Sequence, residues 1–204
     1  MADTTDVDIC NYSAVLMGVE QIASLDEESH IAAAFAVVYP KKRDAALAKF
    51  NWRVGIKKRL LARIDDAPLN EWAYIHALPS DAVNAPLAVF GDGSQFPSAS
   101  GWEIYDGKIY SNFETIIVDY EASIDESMFP PLLVEFLAHD VAASLCIPLT
   151  ESADRAQELR IAAYGPANLD GNGGLFAQAK RAVAQSQGTK SLFQNGDPLT
   201  SQRY

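Results

Sequence analysis

Ile9, Tyr12, Leu16, Val19 and Ile22 recur at intervals of three and four, which predicts an amphipathic helix from about Asp8 to Ala23. Ser24 and Glu27 then have capping-box spacing, so a second helix is expected to start there and run through HIAAAFAVVY. Pro40 lacks a backbone donor and crowds the preceding turn, predicting a kink or short break before helix resumes from Lys41 to about Phe50. The alanines between Ala32 and Ala36 permit close helix packing.

After Trp52 the period changes. A basic segment, Lys57–Arg63, is followed by a polar turn at Asp65, Asp66 and Pro68 and then by WAYIHALP, whose residues favour a pleated surface. A basic strand and an aromatic strand joined as a hairpin are expected. Asn84–Ser100 reads as a loop, with Pro86, the GDGS run at Gly91–Ser94, Pro97 and further serines. Asp106-Gly107 between WEIY and KIYS is a strong hairpin signal, and Thr115–Tyr120 adds another strand. These runs predict one antiparallel sheet of four or five strands.

Helical spacing returns at MFPPLLVEFLAHDVAASLCIP. Pro131 suits a first helical turn, Pro148 is expected to end the element, and apolar residues cover most of its circumference, marking it as the most buried helix. Glu151–Tyr164 and Leu175–Gln187 should be helices separated by GPANLDGNGG, and Gly188–Tyr204 carries little apolar material. The expected fold is α+β. It is a single domain over 1–187, with a helical bundle drawn from about 8–50 and 130–187, an antiparallel β insertion at about 54–121, and an extended C-terminal tail at 188–204.

Composition narrows the classes. At 204 residues and 49% hydrophobic content the chain can bury a core, and no uninterrupted apolar run reaches the ~18–20 residues of a membrane span. The acidic start MADTTDVDIC does not resemble a signal peptide, and the two cysteines, Cys10 and Cys146, make neither a disulfide framework nor a four-cysteine zinc site, so a reducing cytoplasm is expected.

The net charge of −11 is uneven: nine of the sixteen basic residues and a single acid, Asp44, fall between Lys41 and Arg63, leaving +8 there and −19 elsewhere. Such a patch suits contact with an acidic partner or subunit, or with phosphates; it equally suits a solvated helix face and an edge strand protected by charge.

Chemical motifs are weak. Glu135, His139 and Cys146 fall on one helical stripe, but with only His30 and His76 left in the chain they read as a polar helix edge, and no metal site is expected. Asp170–Gly174 superficially resembles a calcium loop, yet Arg181 stands where the bidentate glutamate is needed. GDGS lacks the ending of a phosphate loop and the flanking glycine of a nucleophile elbow. Three scattered histidines support no triad, so no cofactor and no enzymatic activity are expected. Trp52, Trp72, Tyr74, Trp102 and Tyr105 could stack on single-stranded nucleic acid, but they read first as core packing.

The order of these landmarks resembles the tail tubular protein A family, the head-to-tail adaptors of tailed bacteriophages. VLMGVEQIASLDEESHIAAAF is similar to the family's opening helix, turn and second helix, and Tyr39, Arg43 and Leu47 sit where relatives carry a Tyr, a basic residue and a Leu before the Trp. Trp52, Lys57–Arg63, Trp72–Tyr74, Leu78-Pro79 and Asp81 follow the family's central layout; Trp102–Tyr110, Tyr120 and Phe129-Pro130-Pro131 follow its later hairpin and its entry to a long buried helix. The likeness covers roughly residues 13 to 164. Val54-Gly55 departs from it, standing where relatives carry an aromatic followed by Ala, and Gly165–Gly174 and the last thirty residues match no part of it.

The resemblance implies a structural virion protein, assembled in the host cytoplasm. It would form a ring of twelve copies beneath the portal, join the portal protein to the tail nozzle, and surround genomic DNA that passes without specific binding or any membrane contact. Lys41, Lys42, Arg43, Lys57, Lys58 and Arg59 are then the expected subunit or portal contacts, and Leu192, Phe193 and Tyr204 the contacts of the tail. Two alternatives are another neck or tail-completion protein and a nucleic-acid-binding protein using the basic stretch 41–63.

Overall fold

The computed structural model describes residues 4–68, 71–169 and 173–185. The fold is α+β, five helices and two antiparallel sheets. The predicted C-terminal tail, with Leu192, Phe193 and Tyr204, lies outside the described residues, as do Asp170 and Asn172 of the glycine-rich break.

Helix α1 spans Asp6–Met17 rather than about Asp8 to Ala23. Thr5 and Asp8 form its capping box, and Gly18, at φ 76°, ends it in the left-handed conformation that glycine adopts without a Cβ clash. Ile22 is buried as its spacing predicted, but in a loop: Asn11 accepts from the Ile22 N–H at 2.8 Å and donates to its carbonyl at 2.9 Å. The Ser24/Glu27 spacing makes a turn, with Glu27 accepting from the Ala23 N–H at 2.8 Å, and the next helix starts later, capped by Ser29. This α2, His30–Ala48, runs through Pro40 without a break. The carbonyl deprived of a partner belongs to Ala36, which lies on the exposed face where water can take the bond.

Helix α3, Pro131–Thr150, also passes its proline, Pro148, and ends where Glu151 turns left-handed. It lies at the centre, packed by α1, α2, α4 (Ala153–Tyr164) and α5 (Gly174–Gln185). Leu133, Phe136, Leu137, Val141 and Leu145 are essentially inaccessible. By length and a hydropathy of 1.7 this helix is apolar enough to cross a membrane; its place in the middle of a bundle accounts for that composition.

The insertion forms two sheets instead of one. β1 (Ile56–Leu60), β7 (Ile116–Glu121) and β4 (Ala88–Gly91) make the first, in the order β1-β7-β4. β2 (Arg63–Ile64), β3 (Tyr74–Ala77), β6 (Lys108–Ser111) and β5 (Trp102–Tyr105) make the second, in the order β2-β3-β6-β5. The expected pairing of a long basic strand with the aromatic strand is therefore corrected. Only Arg63 and Ile64 pair with β3, whereas Ile56–Leu60 pairs with β7.

The switch occurs at Leu61-Ala62: the Leu61 N–H donates to Ile116 of the first sheet, and the Ala62 carbonyl accepts from Ala77 of the second. Leu61 is buried at this corner, in a small core with Val89, Ile109, Ile116, Val118 and Tyr120 drawn from both sheets. Strands that change sheets at a corner are how two packed sheets share one core. The Asp106-Gly107 hairpin forms as predicted between β5 and β6, both residues at positive φ.

Candidate functional site

Trp52 joins the two halves. It is fully buried, its indole N–H donates to the Ala46 carbonyl at 3.0 Å, and its backbone N–H donates to Glu121 Oε1 at 2.8 Å. Phe50, Phe136 and Phe176 surround it or its neighbours, with ring centroids 5.1 Å from Trp52 to Phe50 and 4.9 Å from Phe136 to Phe176. Gly55 sits where a Cβ would come 3.0 Å from the Ala122 carbonyl. A glycine fits this close approach, and the Gly55 carbonyl in turn accepts from the Ala122 N–H at 2.9 Å.

The six basic residues singled out in the sequence fall into two separate sets, each answered by acids from distant parts of the chain. On α2, Lys42 bonds Asp140 Oδ1 at 3.0 Å, and Arg43 bridges Asp44 at 3.0 Å and Glu126 at 3.1 Å. The Tyr39 hydroxyl donates to the same Glu126 oxygen at 2.9 Å; burial, followed by the Glu126 charge, pushes that phenol well above its ordinary pKa. Lys41 is exposed, with no ion pair among the described residues.

On β1, the register places Lys58 opposite Asp119, and its Nζ lies 2.7 Å from Asp119 Oδ1 without hydrogen-bond geometry and 3.9 Å from the centre of the Phe90 ring. Lys57 bonds Asp81 at 3.0 Å, Arg59 lies 4.0 Å from it, and the Tyr120 hydroxyl donates to it at 3.0 Å. The hydrogen bond from Lys57 holds the Asp81 carboxyl below the usual carboxylate range. The Lys and Arg heads of β1 remain half-exposed, so these pairs orient the cations more than they stabilise the fold.

A third arrangement went unnoticed in the sequence. Asp140 and Ser144, one turn apart on α3, face the groove between α2 and α4. Asp140 is nearly buried; besides Lys42 it accepts from the Tyr164 hydroxyl at 3.0 Å, and Lys49 Nζ donates to that hydroxyl at 3.1 Å while lying 4.8 Å from the ring centre. Burial raises the Tyr164 pKa, and the Asp140 charge adds to it. The groove holds about 640 Å³, and Arg160 also lines it, exposed and without an ion pair or hydrogen bond among the described residues. Lys42, Lys49 and Arg160 thus face one carboxylate. The signal that could have pointed here was Lys49 in the basic window; Asp140, Arg160 and Tyr164 carry no mark of it in the sequence.

No family model matches this chain, and no curated protein matches it.

The weaker motifs find structural places. His139 Nδ1–H donates to the Glu135 carbonyl at 2.8 Å and its ring meets Tyr12 edge-on; among the described residues no three His, Cys, Asp or Glu side chains form a metal-sized group. GDGS is the turn after β4, with Asp92 and Gly93 at positive φ and Asp92 Oδ1 accepting from the Thr115 N–H at 2.9 Å. Trp52 is core, Trp72, Tyr74 and Trp102 are half-buried, and Tyr105 is exposed on the edge strand β5. The five aromatics do not share one surface of comparable exposure.

Proposed function

We propose that this protein is a structural part of a tailed-phage neck, a head-to-tail adaptor. Copies would form a ring between the portal protein and the tail nozzle, around the path of the DNA. The reading rests on the order of landmarks over residues 13 to 164 together with one structural observation. A helical body built from both ends of the chain carries a β insertion with its own small core, and Trp52 and Glu121 lock the two at a buried junction. That organisation suits a protein whose work is interfacial. A packed body supplies rigidity, while a charged edge strand and an exposed hairpin supply surfaces for neighbours.

The acidic excess outside 41–63 supports the same reading, because a wall of like charge lets phosphates pass without retaining them. The paired state of the basic residues weighs against a free nucleic-acid-binding protein, since phosphates would have to displace Asp140, Glu126, Asp81 and Asp119.

Sedimentation of the purified protein with and without its phage's portal ring tests the proposal. Co-sedimentation in a fixed, large stoichiometry is expected. A protein that ignores the portal and instead sediments with DNA in a salt-sensitive manner would overturn it.

A further inference from the structure

We infer that the groove between α2 and α4 is the receptor half of a head-to-tail contact between copies of this chain, and that it takes up the acidic turn Asp26–Glu28 of the next copy. The inference rests on the adaptor reading only in supposing that copies meet in a ring.

Two features define the pair. The groove presents Lys49 and Arg160 beyond the pair Lys42–Asp140, so it carries excess positive charge in a concave site of about 640 Å³. Asp26, Glu27 and Glu28 are the one run of three consecutive acids in the sequence. Glu27 is spent on the turn itself: hydrogen bonds from the Ser29 side chain and the Ala23 N–H lower its pKa and hold the loop. Asp26 and Glu28 are exposed and form no ion pair among the described residues. Ser24 fixes the same turn through the Asp26 N–H at 3.1 Å, and the Asn11–Ile22 pair ties the loop to α1. The turn is therefore presented in a set shape, which lowers the entropy cost of binding.

Geometry prevents one molecule from satisfying itself. The turn precedes the N-terminus of α2, whereas Lys42 and Lys49 lie towards and just beyond its C-terminus. At 1.5 Å per residue, about 18 to 27 Å of helix separates them. Complementary patches at different places on one chain make a heterologous contact, the kind that closes into a ring when the rotation between copies allows.

The experiment is a charge swap read by sedimentation, alone and on the portal ring, with circular dichroism to verify folding. The double variant Lys49→Glu/Arg160→Glu and the double variant Asp26→Lys/Glu28→Lys should each lose self-association by about tenfold or more, because like charges then face each other. Mixing the two should restore association of alternating copies, because the reversed groove meets the reversed turn and the native groove of the turn variant meets the native turn of the groove variant, and added salt should weaken both contacts. The turn variants change only exposed side chains, so they remain informative if the groove variants fold poorly. Self-association unaffected by the turn variants, or a wild-type chain monomeric with and without the portal, would overturn the inference. So would a groove whose reversal abolishes binding of a DNA oligonucleotide while self-association persists. In the first case, continued binding to the portal would leave the adaptor reading standing.

Discussion

The Glu121 carboxyl accepts a hydrogen bond from the Trp52 N–H at 2.8 Å, across 69 positions of chain, and its other oxygen accepts from Asn84 at 3.2 Å. One nearly inaccessible side chain thereby fastens the last strand of the insertion to the end of the first helical half and to the loop before β4. Burial raises its pKa above the ordinary 4.5, against the hydrogen bonds from Trp52 and Asn84, which lower it.

A pH dependence follows from that shift. A carboxyl whose pKa is raised by folding contributes stability that is complete below its unfolded pKa and is lost as pH rises through the folded one. Glu121→Gln removes this loss, so its stability relative to the native protein should improve as pH rises from below the ordinary carboxylate range and level off above the raised pKa. Urea midpoints across that range measure it; a difference that does not change with pH would mean an ordinary carboxyl.

Trp52→Ala should cost about 3–5 kcal/mol, the usual effect of emptying a large core site. Trp52→Phe keeps most of the packing against Phe50 but loses the bond to Ala46, and should cost about 1–3 kcal/mol. Denaturant unfolding of both variants would rank them, and an equal loss would show that the ring packing kept by phenylalanine contributes nothing.

At Gly91 in β4, an added Cβ would fall 2.3 Å from Cγ of Phe113. Gly91→Ala must push that ring aside and should cost about 1–3 kcal/mol as overpacking. Combined with Phe113→Ala, the two losses should be less than additive, because the clash is gone. Strict additivity in the unfolding free energies would contradict the close approach.

Asp140→Asn should weaken the joint between α2, α3 and α4. Lys42 loses its ion pair, while the Tyr164 hydroxyl keeps an acceptor. Because the Lys42 head is about one-third exposed, the loss should be about 1–2 kcal/mol, below that of a fully buried pair. Thermal unfolding at low and high salt would check it: a partly screened bridge should make the loss smaller at high salt.

Several elements were legible because their causes are local. Asp106-Gly107 forces a tight turn wherever it stands between two pleated runs, and Pro131 opens a helix through its own fixed φ. The early end of α1 was also written locally, in Gly18, but the apolar period running on to Ile22 masked it. Ile22 is buried by a side-chain clamp from Asn11, which imitates helical spacing without a helix. Pro40 is tolerated inside α2 because the carbonyl it orphans, that of Ala36, lies on the exposed helix face, and Pro148 stands exposed in the last turn of α3.

What the sequence by itself determined is the α+β division, the central apolar helix and the charge imbalance, since each depends on composition and on spacing within a few residues. Tertiary structure alone decided which strand takes β1, because an open edge can pair with any strand and only burial at the Leu61 corner selects β7 for Ile56–Leu60 and β3 for Arg63-Ile64. It also decided where the basic residues act. A count of cations cannot foresee that Lys42 meets Asp140 across 98 residues, Arg43 meets Glu126 across 83 and Lys57 meets Asp81 across 24. Charge acts through space over a few ångströms, and that space exists only once the chain has packed.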